Sequence, residues 1–401
     1  MKKKGMHCTF YTVSIYLFFC FIIGCATIKL NIQKGIKNIN GKTINGRVYK
    51  FSHPGVLQSA EDIERIKQVV KQKKQPGYDS YKILIEQNTS SSDYELKGPY
   101  KILGRDGDYA YTKNGFEQDF IAAYHNALLW VITGKEAHAK KSVEIINEYS
   151  NKVIGIGGSN DNALTASTVF ILANAAEIMR YSYSKWNKED ISKCEENFRN
   201  VYVKELNVFF DRAPYTNGNW GAACTKAMMS LGVFLNDTSI FNKAVDFYFS
   251  FGKDNGSIAN YVINPTGQSQ ESGRDQPHVM FGLGCLAEAC EIGYKQGLDM
   301  YAALDNRLMA GYEYLAQYNL GYTVPYIQWK DVTGKYSNWK EISNKGRGEF
   351  RAVFEIAYNA YVIRKKLNMP FVTEVLQKLR PEGVPFKADN LGYGTLLFYE
   401  K

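Results

Sequence analysis

Arg347-Gly348-Glu349-Phe350-Arg351-Ala352-Val353-Phe354-Glu355-Ile356-Ala357-Tyr358-Asn359-Ala360-Tyr361 reads as one amphipathic helix. At 3.6 residues per turn, steps of four, four and three keep Arg347, Arg351, Glu355 and Tyr358 on one polar face, while Phe350, Phe354, Ala357 and Tyr361 form a neighbouring apolar face. The apolar face fits a core. The polar stripe leaves guanidinium groups and a phenol along an edge, where they could meet an anionic ligand. A plain surface helix, with Arg351 pairing to Glu355 one turn on, satisfies the same pattern.

The same period recurs outward from this segment. From Ser52-His53-Pro54-Gly55 nearly to the end, it predicts helices over 58–73, 116–133, 135–151, 162–183, 188–205, 220–235, 238–251, 276–294, 298–317, 347–367 and 371–379. Short breaks between neighbours make antiparallel hairpins, so the fold is all-α and either a solenoid or a closed α/α toroid. No helical-repeat signature recurs at a fixed period, which argues against a regular solenoid. A short strand is expected within Gly392 to Tyr399, but no central sheet. Three long non-helical stretches interrupt the helices: 87–115, 252–275 and 318–346. Loops of that length in a compact domain usually serve as lids or binding loops. The first carries Tyr100, Arg105, Tyr109 and Tyr111, and the third Tyr322, Tyr326, Trp329, Tyr336 and Trp339. Aromatic rings offer apolar faces to sugar C–H groups, though rings that merely anchor a loop would have the same composition.

A chain of 401 residues, 45% hydrophobic and 14% aromatic, can bury a large core. Its start is a processing segment by composition: Lys2, Lys3 and Lys4, an apolar run from Tyr11 to Ile23, then Ile22-Ile23-Gly24-Cys25. Small residues before a cysteine resemble the bacterial lipoprotein cleavage site, which would make Cys25 the lipidated first residue. An ordinary signal peptide or an uncleaved anchor would read similarly. Removing residues 1–24 takes away three lysines and no acids, lowering the formal charge of +9 by three. That excess suits an acidic substrate, and the chain lacks the concentrated basic runs of a nucleic-acid binder. A polar tether is expected over 25–50, then a single domain over 51–401. Cys224, Cys285 and Cys290 sit in apolar helical context and read as small core residues, and together with Cys194 they show no ligand-like spacing.

Two segments carry chemistry before helices. In Gly267-Gln268-Ser269-Gln270-Glu271-Ser272-Gly273-Arg274-Asp275-Gln276-Pro277-His278, Asp275 is an N-cap and Pro277 fits the first turn, which puts His278 at a helix N-terminus. The helix dipole disfavours imidazolium there, so His278 could donate one hydrogen bond or accept a proton; a purely local role is equally compatible. In Tyr215-Thr216-Asn217-Gly218-Asn219-Trp220, Asn219 either caps the next helix or, with Asn217, offers neutral amides to a carboxylate, and Trp220 is a stacking platform or core. Asp106-Gly107-Asp108 lacks the further oxygen ligands of a calcium loop, and Gly155-Ile156-Gly157-Gly158 follows no clear strand. Histidines 53, 125 and 138 show no paired metal spacing, so no metal or other cofactor is assigned.

Five segments in order carry a resemblance: Ala127-Leu128-Leu129-Trp130-Val131-Ile132-Thr133-Gly134, Asn174-Ala175-Ala176-Glu177-Ile178-Met179-Arg180-Tyr181, Asn217-Gly218-Asn219-Trp220, Gln270 to His278, and Arg351 to Tyr361. The chain resembles the alginate-lyase domain family of polysaccharide lyases, families five and thirty-eight, and is closer to the latter. The resemblance implies an α/α toroid, an incomplete barrel of antiparallel helical hairpins. It also implies β-elimination on a uronic-acid polymer, alginate or glucuronan, which leaves unsaturated 4,5 uronate ends. By it, Asn219, His278 and Arg351 neutralise the uronate carboxylate, Tyr358 is base, acid or both, and Asn217, Trp220, Gln270, Arg274 and Arg347 bind substrate. The family-five enzymes carry a histidine beside the asparagine where this chain has Trp220, which shifts proton transfer to Tyr358, or to His278 if it approaches C5. Tyr358 would need Arg351 or Arg347 nearby to ionise, because an unperturbed phenol has a pKa near ~10.

The expected partner is an anionic polysaccharide, with no nucleic acid and with membrane contact only through the lipid. Two rivals stand beside this reading. One is a glycoside hydrolase using Glu271 or Asp275 with Glu355; the other is a non-catalytic glycan-binding lipoprotein. The leader would make the protein an exported periplasmic or outer-membrane lipoprotein. Detergent phase partitioning checks it: Cys25→Ser is expected to move the protein to the aqueous phase, and retention and processing like wild type would refute lipidation.

Overall fold

Gly218–Phe234 is apolar nearly all round, and a helix without a polar face has to be enclosed by others. In the computed structural model, every residue of it except Trp220 is buried, and its main neighbour is Gln276–Lys295, which is similarly enclosed. The structure describes residues 43–44, 47–159, 162–212, 218–250, 254–334 and 339–400. The expected signal, Cys25, Asn217 and Tyr336 lie outside the described residues.

The helices in chain order are α1 (Ala60–Lys71), α2 (Gly77–Ile85), α3 (Lys113–Thr133), α4 (Glu136–Lys152), α5 (Asn162–Ser167), α6 (Val169–Ser182), α7 (Lys188–Asn197), α8 (Lys204–Phe210), α9 (Gly218–Phe234), α10 (Thr238–Tyr248), α11 (Ile258–Tyr261), α12 (Gln276–Lys295), α13 (Ala303–Asn319), α14 (Glu355–Tyr358), α15 (Pro370–Leu379) and α16 (Gly394–Leu397). Consecutive pairs α3–α4, α9–α10 and α12–α13 pack as hairpins, and α9 is flanked by α6 and α12. The result is an α/α toroid. Strand pairing among the described residues is limited to Thr43–Ile44 with Arg47–Val48, antiparallel, Ile102–Leu103 with Gly155–Ile156, parallel, and a single antiparallel bridge between Val262 and Ser269.

Most expected helices appear within a few residues of their predicted ends. Two expectations fail. The short strand expected within Gly392 to Tyr399 is the helical turn α16. The helix expected over 347–367 begins only at Glu355 and continues as a π-turn, Asn359–Arg364. Gly346 and Gly348 have φ of 71° and 84°, a left-handed backbone that a right-handed helix cannot pass through. Tertiary bonds hold this conformation: Gly348 N–H donates to Asn319 Oδ1 at 3.0 Å, and Arg347 donates to the carbonyls of Tyr318 and Tyr322. Arg347 and Arg351 therefore share no helix face with Tyr358.

Glu355 does not pair with Arg351 either. It is fully buried and accepts two bonds from Arg380, at 2.8 and 2.6 Å, and one from the Thr395 hydroxyl. Beside it, Glu382 Oε1 accepts the backbone N–H groups of Phe354 and Glu355, while its Oε2 has no partner among the described residues. Burial, and then the neighbouring Glu355 charge, push the Glu382 carboxyl up to about 8. The native state thus holds this proton up to about pH 8, whereas the unfolded chain releases it near 4.5. This group's stabilising contribution is complete below that lower value and is lost as pH rises through the window. Each tenfold difference in proton affinity is worth ~1.4 kcal/mol. Urea unfolding of Glu382→Gln and wild type at several pH values between ~5 and ~9 is expected to show the wild type losing a few kcal/mol relative to the variant; parallel curves would refute the assignment.

Candidate active site

His278 is positioned by the cap of its own helix. Asp275 Oδ1 accepts the His278 backbone N–H at 2.8 Å and lies 2.6 Å from the ring Nδ1. Burial raises the Asp275 carboxyl, but the bonds from the His278 amide and ring outweigh it and hold the group below its ordinary value. A carboxylate on Nδ1 fixes that nitrogen as the donor and leaves Nε2 to accept a proton. The ring remains accessible, with 37% of the side chain exposed. Lys345 Nζ lies 3.9 Å from the other Asp275 oxygen.

The second and third long loops are joined at this point. Ser343 N–H donates to Ser272 O, Gln276 N–H to Lys345 O, and Gln276 Nε2 to Ser343 O. Farther along, the Gln268 amide exchanges bonds with both backbone groups of Ile327. Residues 339–347 therefore lie along residues 272–277, beside His278. A cavity of about 650 Å³ opens here between Gly273, Tyr318, Trp339 and Arg347.

The loop before α12 also reaches α9. A Cβ on Gly218 would come within 2.8 Å of the Gln270 side chain, so the absence of one allows the close approach. Asn219, the next residue, is 1% exposed, and among the described residues neither its Oδ1 nor its Nδ2 has a partner. A buried amide with both polar atoms unpaired is costly unless a ligand or water completes it. Deeper in, Lys226 of α9 bonds Glu288 of α12 at 2.6 Å. With Gly218 near Gln270 at one end and Lys226 on Glu288 further along, α9 and α12 run the same way and open their N-termini at one end of the toroid.

Arg351 comes to this region from the irregular, turn-rich segment before α14. The charge of Asp275 acts on it, its Nη1 is 3.4 Å from Asp389 Oδ2, and its guanidinium lies 3.7 Å from the centre of the Phe386 ring. Burial lowers the Arg351 pKa, and Asp389 and Asp275 oppose that shift. Glu271 is buried and bonded to Arg274 at 3.2 Å; burial raises its carboxyl, while Arg274 and then His278 pull it down.

The remaining expected site residues are placed differently. Gln270 Nε2 donates to the carbonyls of Asn255 and Asn260, and Arg347 is tied to Tyr318 and Tyr322, so both hold loops together. Trp220 is half-buried against the core, and Arg274 is about a third exposed. Tyr358 lies under Arg380, 4.7 Å from its guanidinium, and among the described residues no contact joins it to His278, Arg351 or Asn219. The stripe that linked Tyr358 to Arg351 is absent because the helix starts at Glu355. Asp389 and the Lys226–Glu288 pair were missed by the sequence reading; a lysine within an otherwise apolar helix was the available signal.

Residues 67–323 match the family model described as alginate lyase. No curated protein matches the chain. Among solved structures, the fold is similar to alginate lyase A1-III from Sphingomonas species A1, at 12% identity and a TM-score of 0.61, covering 87% of this chain and 100% of that one. A variant of A1-III complexed with a tetrasaccharide gives 14% identity and 0.60, covering 87% and 99%. An alginate lyase from Bacteroides ovatus gives 13% and 0.57, covering 87% and 100%. With the family model covering well over half of its length, this chain belongs to the alginate lyase family and is a polysaccharide lyase.

Proposed function

We propose that the enzyme cleaves a β-1,4-linked uronic-acid polymer, alginate or glucuronan, by β-elimination, with His278 as the proton-transfer group. The observation that carries the reading is the Asp275–His278 pair, whose Nε2 has no partner among the described residues, with Arg351 within the field of Asp275 and the unpaired Asn219 amide at the same end of the toroid. Related enzymes are alginate lyases, one of them holding a tetrasaccharide, which supports an anionic polysaccharide as substrate.

A carboxylate beside C5 opposes removal of the C5 proton. Arg351 and the Asn219 amide neutralise it, and their donors gain most as charge moves onto the carboxylate in the transition state. His278 Nε2 takes the C5 proton, the C4–C5 double bond forms, and the C4–O bond breaks. The imidazolium, stabilised by Asp275, returns a proton to the departing oxygen. Atoms balance without water. Arg274 and Trp220 contact neighbouring sugars. The hydrolase reading loses support because Glu355 is sealed against Arg380, and Glu271 and Asp275 are committed to Arg274 and His278. The leader composition supports export and a lipid anchor on Cys25.

Incubation with polymannuronate, polyguluronate, glucuronan and pectin, followed by ultraviolet absorbance, is expected to reveal unsaturated uronate on at least one uronan. New reducing ends without that absorbance would establish hydrolysis instead. On the best substrate, His278→Ala is expected to lower kcat by ~10²–10⁴. Asn219→Ala and Arg351→Ala should lower kcat more than they raise KM. Tyr358→Phe is expected to keep most turnover; a dead Tyr358→Phe beside an active His278→Ala would transfer the proton-transfer role to Tyr358.

A further inference from the structure

The guanidinium of Arg351 is held by two side chains of one C-terminal loop. Phe386 lies 3.7 Å from it, ring centre to guanidinium carbon, and Asp389 Oδ2 lies 3.4 Å from Nη1. These are the contacts recorded for its side chain among the described residues, so its other N–H groups are open to a ligand. The loop itself is anchored from the core. Lys226 Nζ donates to Asp389 O at 2.6 Å and to Glu288 Oε2 at 2.6 Å; Asn390 Nδ2 donates to Glu288 Oε2 at 2.8 Å, and Leu391 N–H to Glu288 Oε1 at 3.1 Å. Both Lys226 and Glu288 are buried. Arg105 and Lys113 add their charges to the field around the Asp389 carboxyl.

We propose that Asp389 is a positioning residue which, with Phe386, aims Arg351 at the substrate carboxylate, and that the buried Lys226–Glu288 pair holds Asp389 in place. The proposal rests on the reading of Arg351 as the neutralising cation. A long, single-point ion pair suits this task. A bidentate carboxylate would occupy both outer nitrogens of the guanidinium, whereas Asp389 meets Nη1 alone and leaves the rest of the fork for a uronate. Phe386 fixes the plane of the group through its ring face. Its own exposure of 46% means that changing it removes little core.

A small misplacement of a group aimed at a transition state can cost ~10²-fold in rate. Asp389→Asn is therefore expected to lower kcat ~10–100-fold with KM changed less than about twofold. Phe386→Leu should move kcat in the same direction, and Phe386→Tyr should restore it. Arg351→Lys supplies the decisive cycle. If Asp389 acts through Arg351, adding Arg351→Lys to Asp389→Asn costs much less than Arg351→Lys costs alone. Circular dichroism melts confirm that each variant is folded. Wild-type kcat in Asp389→Asn, or losses that multiply independently, would overturn the positioning role and leave the lyase reading intact. Wild-type kcat in Arg351→Lys and Arg351→Ala would overturn both the positioning role and the assignment of Arg351.

Discussion

The buried Lys226–Glu288 pair connects the parts of this molecule that matter for its chemistry. Two charges inside a protein lose their hydration, and mutual attraction returns that cost only when the remaining donors and acceptors are also satisfied. Here they are. Lys226 spends a second donor on a loop carbonyl and has the Phe170 ring 4.2 Å away, while Glu288 accepts from Asn390 and Leu391. The pair joins α9 to α12 and seats the C-terminal loop across both. Two helices that bear Asn219 and His278 near their N-termini are thereby fixed in mutual register, and the loop that touches Arg351 is fixed to them. Burial lowers the affinity of Lys226 for its proton, but Cys285 and Glu288 outweigh that and raise it, so the amine stays charged.

Stability and function divide cleanly between two carboxylate groups. Glu355 and Glu382 are enclosed with Arg380 and Thr395, where they tie the start of α14 to the chain end. Glu271 and Asp275 sit on the loop before α12, one bonded to the Arg274 guanidinium and the other to the His278 ring, both partly exposed. Burial without access makes a structural clasp, whereas a carboxylate that orients an accessible imidazole makes a reactive one. The same carboxylate group serves both, and only the tertiary environment tells them apart.

That distinction explains what could be read from the sequence. Helices such as Gly218–Phe234 and Gln276–Lys295 were legible because their apolar periods are long and their caps are local: Asp275 is an N-cap whose partner lies three residues on. His278 was legible for the same reason. The 347–361 segment was misread because its helical period is real but loses to two left-handed glycines and to bonds with Asn319, Tyr318 and Glu382, partners 28 or 29 residues away. Asp389 offered no local pattern at all. Its meaning comes from Lys226, 163 residues earlier, and no spacing rule reaches that far.

The misread helix also changes what the arginine can do. On a continuous helix, Arg351 would have shared a face with Glu355 and Tyr358, and its charge would have been partly spent on a neighbour one turn away. Unwinding residues 347–354 separates them. Glu355 turns inward to Arg380, Tyr358 stacks beneath that same guanidinium, and Arg351 meets Asp389 from an irregular, turn-rich segment, within the field of Asp275. Burial that raises the cost of an unpaired cation also strengthens its attraction for an incoming carboxylate, because the field is less screened there. Gly346 and Gly348 thus give up about two turns of helix and in exchange deliver a partly desolvated cation to the end of the toroid where His278 and Asn219 open.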